Sequence, residues 1–221
     1  MIESPTELEV YFLRKVAEYN REESERRRNE LHLTDLISEC KRRVWFDKND
    51  PLPDDPENLL RMWQGSMLHQ MPLLPEHELE LEFLDVKTRI DEYDPELGIL
   101  IEKKFVTFIP KTPDELRKYY SHYIKQVQYE ALFLMANNMK VNKAFLLFVV
   151  RGEPEPGRKP IAVFEVPLLD GNLVVTQFVE EVEAYKIILQ SPTPPDIPKT
   201  YSPFEYPCTY CKYRSRCFGR W

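Results

Sequence analysis

The chain has 221 residues, enough for one medium domain with appendages and a substantial core. It is 43% hydrophobic and 30% charged, and no run approaches the roughly 18 apolar residues of a membrane span, so no membrane partner is expected. A net charge of −7 excludes blanket affinity for nucleic acid, so any such binding needs a local basic surface.

The start, Met1-Ile2-Glu3-Ser4, leads straight into charged residues with no secretory leader, so a reducing, cytoplasmic setting is expected. Residues 5–29 read as a helix with Leu8, Phe12, Leu13 and Val16 on one face, followed by a highly charged second half. A second helix is predicted over 33–46, carrying Cys40. Residues 47–56, with Pro51, Pro53 and Pro56, form a turn-rich break, and Pro56 suits the first turn of a helix over 57–70 that ends at His69. The period then changes: Leu79, Leu81 and Phe83 alternate with Glu78, Glu80 and Glu82, as in a half-buried strand. A second strand over 86–93, a turn at Asp94-Pro95-Glu96-Leu97-Gly98 and a third strand over 99–109 follow. Thr112-Pro113-Asp114-Glu115 is a strong helix start, launching a long helix to about 138. Strands over 144–150 and 161–166, a helix near 176–189 and a Pro-rich stretch over 192–207 complete the chain. The pattern predicts an α+β fold, a mixed sheet with helices packed on it. Three regions are expected: an N-terminal helical region over 1–70, a core over 71–191 and a tail over 192–221.

The four cysteines divide one and three: Cys40 stands alone, and Cys208, Cys211 and Cys217 are spaced Cys-x2-Cys-x5-Cys. Four thiolates can wrap one iron–sulfur cluster or a structural zinc, and either would clasp the N-terminal region to the tail. Two disulfides are the alternative. Basic residues flank the cysteines: Lys41, Arg42 and Arg43 follow Cys40, and Lys212, Arg214, Arg216 and Arg220 lie in the tail among Tyr210, Tyr213, Phe218 and Trp221. Cations interleaved with rings suit a single strand and its splayed bases, although they also offset a negative cluster.

The third strand is interrupted by Glu102-Lys103-Lys104 between Ile99-Leu100-Ile101 and Phe105-Val106. Glu102 and Lys104 are two apart and share a face. Burying both costs several kcal/mol by order of magnitude unless they are paired or bind metal. Asp91 precedes the turn, and hairpin pairing can bring it beside Glu102. Two carboxylates and a lysine there suit a Mg²⁺ or Mn²⁺ site with a water-activating cation; a structural Glu–Lys pair is the plainer alternative.

The order Cys40, Gly65-x3-His69, Asp91, Glu102-x-Lys104, Gln126 and Cys208-x2-Cys211-x5-Cys217 resembles the RecB-like branch of the PD-(D/E)xK nucleases, which have a restriction-endonuclease-like fold. It is more closely similar to the CRISPR-associated RecB-like iron–sulfur exonucleases, over residues 33–221. The resemblance implies that His69, Asp91 and Glu102 hold the metal, that Lys104 helps activate the attacking water and that Gln126 supports the site. It implies an iron–sulfur cluster on Cys40, Cys208, Cys211 and Cys217, with 4Fe–4S preferred to 2Fe–2S. It further implies degradation of single-stranded DNA from its ends, commonly 5′ to 3′, to trim DNA for the CRISPR integrase proteins. A homo-oligomeric ring or dimer around DNA is consistent with a weakly basic monomer. The sequence departs from the family pattern in two places: Thr88 stands where a Gly commonly precedes Arg89-Ile90-Asp91, and Glu130 stands four after Gln126 where a Tyr is common. Asp85 is therefore a second candidate for the metal aspartate. Lys104, beside Glu102 and a metal, is expected to have a depressed pKa. The competing readings are a catalytically inactive single-strand-binding or assembly subunit and a stand-alone relative of AddB-like repair nucleases.

Overall fold

The computed structural model describes residues 5–154 and 156–219. Arg220 and Trp221 lie outside the described residues. The chain divides into two compact units interleaved in sequence: Met1–Glu30, Glu39–Ser66 and Tyr185–Trp221 form one, and Leu31–Ser38 with Met67–Ala184 form the other.

The second unit is an α+β layer structure. Among the described residues six strands make one mixed sheet: β1 (Leu31–His32), β2 (Glu76–Phe83), β3 (Val86–Asp94), β4 (Ile99–Val106), β5 (Lys143–Val150) and β6 (Ile161–Glu165). One edge of β3 pairs with β2. The other edge carries β1 at the Val86 end and β4 at the Asp94 end. β4 and β5 are parallel, which requires the helical crossover of α5 (Pro113–Tyr119) and α6 (Ser121–Ala136) between them. The β3–β4 turn needs its glycine: Gly98 sits at φ +66, and a Cβ there would meet Asn142 Nδ2 at 2.8 Å.

One face of α6 packs Val127, Ala131 and Leu134 onto Ile90, Leu100, Leu146 and Phe148 of the sheet. The long helix α7 (Gly171–Gln190) adds Phe178, whose ring lies 5.1 Å from Tyr129 and 5.4 Å from Phe133 of α6. Val127, Phe133, Leu134 and Phe148 are fully buried. The site residues of β3, β4 and α6 thus stand on the rigid centre of this unit.

The first unit contains α1 (Pro5–Arg28), α3 (Lys41–Asn49), most of α4 (Pro56–His69) and α8 (Arg214–Phe218). One small hydrophobic cluster in it is Trp45, Phe46 and Tyr213, with Phe46 and Tyr213 stacked at 4.9 Å. Trp45 Nε1 donates to Ser191 O at 2.9 Å, and Tyr213 donates its hydroxyl to Asp47 Oδ1 at 2.7 Å.

Several predicted elements are corrected. The helix expected over 33–46 is two: α2 (Leu33–Leu36) and α3, divided where Cys40 turns extended (φ −115, ψ 95) and accepts from Arg43 N. The long helix expected from Thr112 breaks at Tyr120 (φ −133, ψ 30), whose hydroxyl donates to Phe108 O at 2.5 Å. Its start is as expected, with Thr112 Oγ1 accepting from Glu115 N at 3.2 Å. The third strand ends at Val106, and the last long helix begins at Gly171, where Asp170 Oδ1 accepts from Asn172 N and Leu173 N. The two-residue β1 and the short α8 have no counterpart in the sequence reading.

Candidate metal centre and active site

The site begins where a ladder stops. β3 and β4 pair Asp94 with Ile99, Tyr93 with Leu100 and Glu92 with Ile101. The next partners in that register are Asp91 and Glu102, and there the strands splay. The side chain replaces the ladder: Asp91 Oδ2 accepts from Lys103 N at 2.7 Å. Both carboxyl groups are buried, Asp91 at 5% exposure and Glu102 at 2%.

Around them the structure gathers His69, Lys104 and Gln126. His69, the last residue of α4, places Nδ1 2.8 Å from Asp91 Oδ1. Lys104 Nζ donates to Glu102 Oε1 and, at 2.8 Å, to Gln126 Oε1. Gln126 Nε2 donates to Glu102 Oε1 and to Glu130 Oε1, both at 2.7 Å. The amide therefore fixes the lysine and two carboxyl groups at once. Asp85, the second candidate for the metal aspartate, lies exposed in the β2–β3 turn at φ +61, whereas Asp91 faces His69.

The electrostatics follow from burial and crowding. Burial, then repulsion from Asp91, pushes Glu102 up to about 7, against the pull of Lys104. Glu130 rises well above the usual carboxylate range through burial, with Glu102 and Asp91 adding to it. Burial also disfavours ionised Asp91, but the His69 hydrogen bond and the His69 and Lys104 charges outweigh it and hold Asp91 low. His69 is raised: burial lowers it, and Asp91, Glu102 and Glu78 more than compensate. For Lys104 the expected direction is reversed. Burial lowers it, but Glu102 and Asp91 together raise it, so it remains an ammonium.

Sequence reasoning missed three participants. Lys103 and Glu92, both fully buried, pair at 2.6 Å. Lys103 Nζ also donates to Met71 O at 3.0 Å and His69 O at 3.4 Å, while Glu92 Oε2 accepts from Leu73 N and Leu74 N. This pair clamps the segment that carries His69. Glu78, assigned by alternation to the solvent face, instead brings Oε1 to 3.6 Å from His69 Nδ1. Three adjacent charges in an apolar strand were a signal for Lys103; nothing in the sequence marked Glu78.

The thiols form a separate cluster in the first unit. Cys40, Cys208, Cys211 and Cys217 are free and line one cavity with Arg43, Ile197, Pro198 and Tyr201. Burial raises Cys40, Cys208 and Cys211 above the usual thiol range, and neighbouring thiols add to the rise. The basic residues there are partly engaged. Lys212 pairs with Asp47 and Asp54 at 3.1 and 3.2 Å, Arg216 with Asp50 at 2.7 Å, and Arg42 donates to Pro195 O. Lys41, Arg43 and Arg214 are exposed; Arg43 lies 3.5 Å from Asp47.

No protein-family model and no curated protein sequence matches the chain. Among solved structures it is similar to SSO0001, with a TM-score of 0.56 over 97% of this chain and 98% of that one at 19% identity. At that identity the likeness establishes the fold alone. A phage-related exonuclease from Haemophilus somnus 129PT matches with a TM-score of 0.48 and 14% identity, over 72% of this chain and 92% of that one. Among the described residues no helix is long and apolar enough to cross a membrane.

Proposed function

We propose that the chain is a divalent-metal-dependent deoxyribonuclease of the RecB-like PD-(D/E)xK kind, degrading single-stranded DNA from its 5′ end to trim DNA for CRISPR spacer acquisition. One observation carries the nuclease reading: Asp91, Glu102, Lys104, His69 and Gln126 converge where β3 and β4 splay. The metal fits this donor set. Glu102 Oε2 is buried and meets no hydrogen-bond donor among the described residues, a costly arrangement that a cation would relieve. Asp91 and Glu102 offer the hard oxygens that Mg²⁺ and Mn²⁺ prefer, and His69 suits Mn²⁺. A bound ion would lower the pKa of its water and neutralise charge on the scissile phosphate.

The protein's own groups divide the remaining work. Lys104, held as an ammonium, stabilises the negative charge that builds on the phosphate, a role that suits it better than proton abstraction. Gln126 holds Lys104 and Glu102 in fixed relation. Because Glu102 titrates near 7 without metal, ion binding displaces a proton and strengthens as pH rises through that value.

Cys40, Cys208, Cys211 and Cys217 would hold an iron–sulfur cluster, 4Fe–4S in preference to 2Fe–2S. Support comes from four free thiols on one cavity and from the family resemblance. The cluster's role is structural, joining Cys40 to the C-terminal tail. The DNA polarity and the integrase partners rest on the resemblance alone.

The test uses protein purified without oxygen and single-stranded DNA labelled at either end, beside a circular strand, with Mn²⁺ or Mg²⁺. The proposal expects the linear strand to shorten from its 5′ end while the circle persists. Cutting of the circle at the same rate would refute end-dependence, and inertness towards all three substrates would refute the nuclease.

A further inference from the structure

A row of aromatic rings leads away from Lys104 within the second unit. Lys104 Nζ lies over the Tyr123 ring at 4.5 Å. Tyr123 stacks on Tyr120 at 5.5 Å and 9°, and Tyr120 stacks on Phe108 at 5.8 Å and 25°. Phe108 meets Tyr119 edge-on at 5.2 Å. The inner rings are anchored: Tyr120 donates its hydroxyl to Phe108 O and packs on the core ring of Phe148 at 5.2 Å. The outer end is open. Tyr119 is 47% exposed, whereas Phe108, Tyr120 and Tyr123 are half-buried.

Cations accompany the row at its outer end. Arg158 Cζ lies 4.3 Å from the Phe108 centroid, and Lys118 Nζ lies 4.9 Å from that of Tyr119. The acids of α5 are engaged, Asp114 by Arg117 at 2.6 Å and Glu115 by Arg158 at 3.2 Å. Lys118 is exposed and, among the described residues, forms no ion pair. A lone exposed tyrosine needs no explanation, but this one closes a row that begins at a group of the active site. An open ring with a cation beside it suits an unpaired base and its phosphate. A base inside a duplex has both faces stacked already and offers it nothing.

We propose that Tyr119 is a stacking platform for an unpaired base of the substrate strand, backed by Phe108, with Lys118 beside it for a phosphate. The inference rests on the nuclease reading for what the bound strand is, and deepens it by naming a residue that selects a single strand over a duplex.

The test measures binding in a chelator, where nothing is cut, by fluorescence anisotropy. Three labelled probes are used: an oligothymidylate strand, an abasic strand of equal length and a blunt duplex. Tyr119→Ala should weaken binding of the thymidylate strand by about fivefold to a hundredfold and leave the other two unchanged. Tyr119→Phe, which keeps the ring, should bind like wild type. Lys118→Ala should lower the slope of log affinity against log salt by about 0.7, and Tyr119→Ala should not. Circular dichroism confirms folding. Unchanged affinity of Tyr119→Ala for the thymidylate strand overturns the proposal, and so does an equal loss for the abasic strand or the duplex. A wild type that binds the thymidylate strand no better than the abasic one overturns it without reference to any variant. The nuclease reading is judged apart, by cleavage with Mn²⁺: the expected Tyr119 dependence of binding with intact DNA would uphold the platform and refute the nuclease.

Discussion

At the scale of single residues, the site depends on charges that burial alone would neutralise. Glu102 ionises near 4.5 when exposed and near 7 in the fold, so between those values the unfolded chain has lost a proton that the folded chain retains. Raising the pH through this window therefore favours unfolding. Melted in a chelator, the protein should lose stability steadily from pH 5 to pH 7, and Glu102→Gln should flatten that slope; a wild-type melting temperature rising across the same range would contradict this. Lys104→Ala should slow cleavage by about a hundredfold or more while leaving the fold intact, measured by single-turnover assay and circular dichroism. Glu102 and Lys104 were legible in the sequence because charge in an apolar strand requires a reason. The direction of Lys104's shift was not, because it depends on how many carboxylates surround it. Glu78 was hidden by an alternation that holds for its neighbours and fails at one left-handed residue.

At the scale of elements, the strand pattern was clear and the interruptions of the helices were not. Period-two alternation located β2, and the Asp94–Gly98 turn fixed the register that sets Asp91 opposite Glu102. The breaks at Cys40 and Tyr120 come from a side-chain cap and a long-range hydroxyl bond, which local periodicity does not encode. The segment carrying His69 is held by Lys103 and Glu92 from the strands behind it. Lys103→Met leaves Glu92 as a buried unpaired carboxylate and should cost about 3–5 kcal/mol in a urea titration. Replacing both by methionine should recover much of that loss, since no unpaired charge then remains. Equal stability of the single and double variants would show that the charges do not act as a pair.

At the scale of the molecule, the chain holds a carboxylate site in one unit and a thiol site in the other. The cysteine division, one and three, was readable from spacing alone, while the engagement of the basic residues required coordinates. Arg216 is committed to Asp50 and Lys212 to Asp47 and Asp54, which leaves Arg214 as an exposed cation of the tail. Arg214→Ala should weaken single-strand binding and reduce the slope of log affinity against log salt by about one, measured by fluorescence anisotropy. Cys208→Ser should lose iron and colour together and lower the melting temperature; full iron content in that variant would show that the cysteines do not share one centre. The central claim, metal-dependent hydrolysis at Asp91 and Glu102, is tested most directly by incubating wild type and Glu102→Gln with end-labelled single-stranded DNA and Mn²⁺. The account predicts a ladder of shortened products from wild type and none from the variant. Equal activity in the two, or none in either with both proteins folded, would contradict it.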